Sequence, residues 1–156
     1  HSTTIYNGEA VKISSGYVVG GQGSAADIVG VLNGIFFNAA DTNKPTFSNF
    51  YKATITPANS EDTTAFVIDD PFQQYVVSSD AARTQAQFLA TYDMNTSAGS
   101  DTTGKSSATL DTSVTDANGK QFRLIRSAED PENEDITAAF FSGIVVSNLN
   151  SYNGHN

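Results

Sequence analysis

Apolar residues along this chain gather into short runs separated by Gly, Asn, Asp, Ser and Pro. Runs of that length between turn-forming residues are the pattern of β-strands, because a strand buries alternate side chains and a turn needs residues tolerant of unusual backbone angles. EAVKI (9–13) and GYVVG (16–20) are joined by Ser14-Ser15-Gly16 and predict a hairpin, and DIVGVLNGIFF (27–37) predicts a long strand. YKATIT (51–56) sets Tyr51, Ala53 and Ile55 against Lys52, Thr54 and Thr56, which predicts a half-buried strand. AFVI and QYVV flank Asp69-Asp70-Pro71; being apolar on both faces, they are expected to lie deep. QFRLI (121–125) and SGIVVS (142–147) complete the strands. Only DAARTQAQFLATY (80–92) has helical spacing, with Asp80 as a cap and Ala82, Ala86, Leu89 and Ala90 on one face.

The pattern predicts an all-β, single-domain barrel or sandwich of seven or eight short strands with at most one short helix. Residues 9–150 form the β domain and residues 151–156 a flexible tail. HSTTIYNG (1–8) lacks periodicity and is expected to be an extended N-terminal arm that docks on a neighbour. The Ser/Thr/Gly-rich stretch 93–109 is expected to be a mobile loop.

Composition narrows the function. The 156 residues contain no Cys, so disulfides, thiol nucleophiles and thiolate metal sites are excluded and a reducing cytoplasm suits assembly. Net charge is −9, which argues against a nucleic-acid partner; Arg123 and Arg126, on one strand, read as rim charges. No apolar run approaches the ~20 residues that cross a bilayer, so no membrane partner is expected. The first residue is His1 rather than Met, and no signal peptide can be read.

One stretch matches a catalytic motif. GSDTTGKS (99–106) fits the phosphate-loop pattern G-x-x-x-x-G-K-[ST], with Gly99, Gly104, Lys105 and Ser106 in the required places. Such a loop needs a buried strand running into the first glycine and an amphipathic helix leaving the lysine. The approach TYDMNTSA is polar, and the exit SATLDTSVTD reaches Asn118-Gly119 without helical spacing, so the match reads as a plain loop. FVIDD (66–70) resembles the magnesium-binding strand of such enzymes but precedes the glycine loop and runs into Pro71, so its carboxylates read as turn acceptors. His1 and His155 lie at opposite ends of the chain, and EDPENED (129–135) lacks the ordered spacing of a calcium loop. No catalytic residue, cofactor or metal is expected.

The phrases GVLNGIFF (30–37), PTFSNFY (45–51), AFVIDDPFQQYVV (65–77), TTGKSSATLD (102–111) and FRLIRSAEDPENE (122–134), followed by a final apolar strand, resemble in that order a family of tailed-bacteriophage virion proteins, the capsid decoration or cement proteins. The resemblance covers about residues 28–148; the chain carries Lys52 and no Trp where members often place Trp, and SNLN where their endings often read N-E-H. It implies a non-enzymatic protein on the outer capsid surface of the virion, assembled in the host cytoplasm, with the major capsid protein as partner and dimers or trimers as its own state. The candidate interface residues are Ile5, Tyr6, Phe36, Phe37, Phe50, Tyr51 and Lys52. The alternative is an extracellular adhesin or carbohydrate-binding module, with Phe36, Phe37, Phe50 and Tyr51 stacking on sugars.

Overall fold

The computed structural model describes residues 2–23, 27–116 and 119–152, without the side chains of 112–116. The expectations placed on His1, on the Asn118 turn and on the tail beyond 152, His155 included, lie outside these residues. Ten strands and two single 3-10 turns make an all-β fold. The strands are β1 (Ala10–Ser14), β2 (Tyr17–Gly20), β3 (Gly30–Asn38), β4 (Pro45–Ser48), β5 (Thr64–Ile68), β6 (Gln74–Ser78), β7 (Thr91–Met94), β8 (Leu110–Asp116), β9 (Phe122–Ser127) and β10 (Ser142–Ser147).

Two antiparallel five-stranded sheets share them. The first is built around β3, which pairs with β1 and then β4 along one edge and with β5 along the other, while β2 pairs with β1. The second has the order β6-β10-β9-β7-β8. The predicted hairpin between β1 and β2 forms, turning on Ser15 and Gly16, both at positive φ as a two-residue turn between twisted strands requires.

Pairing partners share a face and neighbours along a strand do not, so the register assigns each side chain a side. Ala10 and Val31, paired across β1 and β3, point toward the second sheet and join Tyr92, Met94, Leu110, Phe122, Leu124 and Val145 in the main core. Val11 and Leu32, one residue on, face the opposite way into a smaller cluster with Ile5 and Ile35. One sheet therefore separates two cores.

Four expectations are corrected. YKATIT is not a ladder strand: Tyr51 makes a single bridge to Ile5, and the Ile55 amide bonds the Lys52 carbonyl at 2.9 Å, bending the chain. Its alternation survives, with Tyr51, Ala53 and Ile55 half-buried and Lys52, Thr54 and Thr56 exposed. The helix over 80–92 is replaced by one 3-10 turn, Gln85–Gln87, capped by Thr84 rather than Asp80, and by β7. There Tyr92 is fully buried in the two ladders with β8 and β9, a burial that outweighs weak helical propensity. AFVI and QYVV are not buried on both sides: Phe66 is 46% and Val76 69% exposed, because β5 and β6 are sheet-edge strands. The count rises from seven or eight to ten among the described residues because PTFS, TYDM and LDTSVTD, too polar or short to read as strands, pair as β4, β7 and β8.

The arm is extended and lies on its own domain, with Ile5 in the smaller core. The stretch 95–109 is tied at its base, where the Asn95 amide bonds the Thr109 carbonyl at 2.9 Å and the Thr109 amide bonds Asn95 Oδ1 at 3.1 Å.

Candidate functional site

The phosphate-loop match folds as a clasp for the arm. Ile5 and Tyr51 exchange two backbone hydrogen bonds of 2.9 Å, and the Tyr6 ring stacks on Phe50 with centroids 5.7 Å apart and planes 5° from parallel. The Tyr6 hydroxyl donates to Asp101 Oδ1 at 2.8 Å, and Lys52 Nζ lies 3.1 Å from Asp101 Oδ2. The Asn7 amide donates to the Gly104 carbonyl and the Ser106 amide to the Asn7 carbonyl, both at 2.9 Å. Three elements distant in sequence, residues 5–7, 50–52 and 99–106, thus hold one another.

This geometry accounts for the motif's residues without a nucleotide. A phosphate cradle needs free amides converging on one point. Here the amides of Ser100 and Gly104 donate to Lys105 and Ser100 carbonyls, those of Thr103 and Lys105 to nearby hydroxyls, and that of Ser106 to the arm. A Cβ on Gly99 would stand 2.4 Å from the Tyr6 ring; one on Gly104, at φ +69, 2.5 Å from the Asn49 side chain and 2.6 Å from Phe50. The glycines make room for the arm and the Phe50 turn. The lysine is exposed, and β8 follows the loop in place of a helix.

Electrostatics in the clasp runs in two directions. The Tyr6 hydroxyl, and after it Lys52, holds the Asp101 carboxyl below its ordinary value. Glu9, buried at the arm's root and accepting the Tyr6 amide at 2.9 Å, is raised by burial, which that hydrogen bond only partly offsets.

Other acidic groups serve turns or pair with side chains. Asp70 Oδ1 accepts the Phe72 amide at 2.8 Å, as the sequence predicts for Asp69-Asp70-Pro71, and Asp69 Oδ2 accepts the Tyr152 hydroxyl at 3.2 Å. Tyr75 donates to the Ile68 carbonyl at 3.1 Å, and burial, with the charges of Asp70 and Asp69, pushes its hydroxyl up to about 12. In EDPENED, Glu129 pairs with Arg126, Asp130 accepts the Glu132 amide and Asp135 binds Thr137. Among the described residues no group of three or more His, Asp or Glu is placed to hold a metal ion.

A second aromatic group lies in the open. The face of β3 and β5 that carries Val31 and Ile68 continues past the second sheet, and on it stand Phe36, Phe47 of β4 and Phe66. They are 40%, 62% and 46% exposed. Phe47 and Phe66 lie 6.1 Å apart, and Phe47 leans over Gly34, where a Cβ would come 2.7 Å from the ring. A register shift between Leu32 and Gly34 leaves Asn33 exposed and phases Phe36 outward while Ile35 and Phe37 stay on the inner cluster.

Of the candidate interface residues, Ile5, Tyr6, Phe50, Tyr51 and Lys52 therefore meet in and beside the clasp, and Phe36 and Phe37 stand apart on opposite faces of β3. Sequence reasoning missed Phe47, Phe66 and Asp101. The period-2 phase of β5, with Ala65 and Val67 inward, is the signal that points Phe66 out.

Two clefts remain. A cleft of about 920 Å³ opens over the smaller core, but its apolar floor of Ile5, Leu32 and Ile35 is almost wholly covered, and its carboxylates, Glu61 and Asp62, face no base. A second, of about 640 Å³, is lined by Tyr75, Met94, Lys105 and Phe122 among others. Neither reaches Arg83, whose buried guanidinium lies 4.0 Å over the Tyr92 ring, donates from Nε to Ser79 Oγ at 3.1 Å, and leaves both terminal nitrogens without a hydrogen-bond partner. Burial lowers its pKa, an effect partly offset by Tyr92 and by the charges of Asp80 and Asp111. Among the described residues no helix is long and apolar enough to cross a membrane. Compared with family models, curated proteins and solved structures, the chain matches none.

Proposed function

We propose that the protein is a non-enzymatic virion structural protein that binds the outer surface of a bacteriophage capsid and stabilises the assembled head. The observation that carries this reading is the use of the catalytic-looking motif: its Gly104 carbonyl and Ser106 amide bond the arm, its glycines make room for it, and the apolar surface left open is an aromatic face. The phrases that resemble decoration proteins support it, since they supply β3 to β6, the clasp loop with the start of β8, and β9.

A protein that binds the assembled shell and not separated capsid subunits shifts assembly by RT ln(1 + [L]/Kd), about 2.7 kcal/mol per site at a hundredfold excess over Kd. With a net charge of −9 the protein is repelled by packaged DNA, which favours the outer face over the lumen. Self-association into dimers or trimers at symmetry axes would raise avidity without tighter single contacts.

The test is co-sedimentation with assembled heads of the virus that encodes the chain, against free capsid subunits. Saturable binding to heads alone, with heads made more resistant to heat, is the expected result. Binding to neither overturns the reading, as does micromolar ATP binding that Lys105→Ala abolishes.

A further inference from the structure

We propose that the overhang formed by Phe36, Phe47, Phe66 and Ile68 is a docking face for a protein partner whose apolar centre is rimmed by lysine and arginine. This goes beyond the capsid reading and does not depend on it.

The overhang is a core face without a second layer. Val31 of β3 is buried against the second sheet; Ile68, its pairing partner on β5, is already 36% exposed, and the three phenylalanines further along are more so. Polar side chains suit positions this exposed, yet three of its ten phenylalanines occupy this surface. With ~200 Å² per ring, the four residues expose about 350 Å² of apolar surface, the size at which a patch on a monomer is commonly a contact site.

Charge selects the occupant. The strand ends framing the overhang carry exposed Asp41, Asp69 and Asp70, and against them Lys44, while Glu61 and Asp62 line the cleft over the smaller core. A second copy brings the same acidic rim to the same place, so its rim repels and only the apolar centres remain. Two such centres bury about 700 Å² in total, short of the ~1,200 Å² of a stable interface. A basic-rimmed protein surface turns these carboxylates into rim contacts that raise the association rate and fix orientation. An anionic bilayer is repelled by the same rim, and the phenylalanines have no donor or acceptor with which to read sugar hydroxyls.

The test uses two amphipathic helical peptides, one with a leucine stripe flanked by lysines and one with glutamate at every lysine. The wild-type chain is expected to bind the lysine peptide at least tenfold tighter. The variant Phe47→Thr with Phe66→Thr, which keeps β-branched residues on the strands and is checked for an unchanged thermal transition, loses at least tenfold. A second variant, Asp41→Lys with Asp69→Lys, leaves the rings in place and shifts preference toward the glutamate peptide. Equal binding of the lysine peptide by wild type and the threonine variant overturns the proposal, leaving charge attraction alone. Concentration-dependent dimers that the threonine variant abolishes assign the face to a second copy, and glycan binding lost in that variant assigns it to carbohydrate; either overturns the proposal. A photo-crosslinker in place of Phe47, used with assembled heads, asks separately whether the face meets the shell: absence of head binding counts against the capsid reading and leaves the peptide result to decide the face.

Discussion

The clasp and the overhang are both made of aromatic rings and a tight glycine contact, and they do opposite things. In the clasp other segments of the chain fix the aromatic residues: Tyr6 stacks on Phe50 and bonds Asp101, and the Tyr51 backbone pairs with that of Ile5. In the overhang Phe47 touches Phe66 and leans over Gly34, with solvent on the outer side. Aromatic content therefore does not separate a structural cluster from a contact surface. What separates them is whether another segment of the chain arrives to cover the rings. At the clasp two distant segments arrive; at the overhang the second sheet stops short.

The sharpest way to break this contrast is to cut each region once. Ile5→Ala removes a side chain that is 3% exposed in the smaller core and should cost about 3 kcal/mol in urea unfolding, whereas Phe47→Thr should stay within about 1 kcal/mol. Equal losses at the two sites would mean that the overhang is part of the core. Next in size is Gly104→Ala, which places a Cβ against Asn49 and Phe50 at φ +69 and is expected to cost about 2 kcal/mol and to loosen the arm, seen as faster exchange of the Asn7 amide.

A pH titration sharpens the comparison within the clasp. Burial holds the Glu9 proton more tightly in the folded chain than in the unfolded one, so its contribution to stability is greatest below its ordinary value of 4.5 and falls as pH rises through the raised folded pKa. Glu9→Gln should therefore be more stable than wild type at pH 7 and lack that part of the decline. Asp101 acts in the other sense: its contribution is present above its ordinary value of 3.8 and is lost as pH falls through the lowered folded pKa, and Asp101→Asn should remove that acid limb. An acid limb unchanged in Asp101→Asn would show that the Tyr6 and Lys52 contacts do not hold the arm. The smallest effect is Lys105→Ala, an exposed side chain whose loss should leave the unfolding midpoint unchanged, because the clasp uses the backbone of residue 105.

Much of the fold was legible along the chain, and the misses share a cause. The hairpin at Ser15-Gly16, the long β3 and the turn at Asp69-Asp70-Pro71 follow from local chemistry, since turn residues and period-2 alternation act within a few positions. YKATIT shows the limit: its alternation predicts which side chains are covered, but a ladder needs a partner strand, and the chain bends after one bridge. The segment 80–92 shows it again, because the burial of Tyr92 between β8 and β9 comes from residues nearly twenty or more positions away. The candidate contact residues divided for the same reason. Nothing local distinguishes Phe36 from Phe37, and the register shift beside Gly34 sends one outward and the other in.

By itself the sequence determined the all-β class, the acidic and thiol-free chemistry, most strand positions and the weakness of the nucleotide motif, because each depends on residue type and near neighbours. Only the tertiary structure decided that GSDTTGKS closes on the arm, that the arm's Ile5 belongs to the domain's own core, and that Phe36, Phe47 and Phe66 share one uncovered face. Those outcomes depend on which segments meet, from Phe36 with Phe47 to Asn7 with Gly104, and on how far one sheet extends past the other, quantities that residue type and near neighbours do not contain.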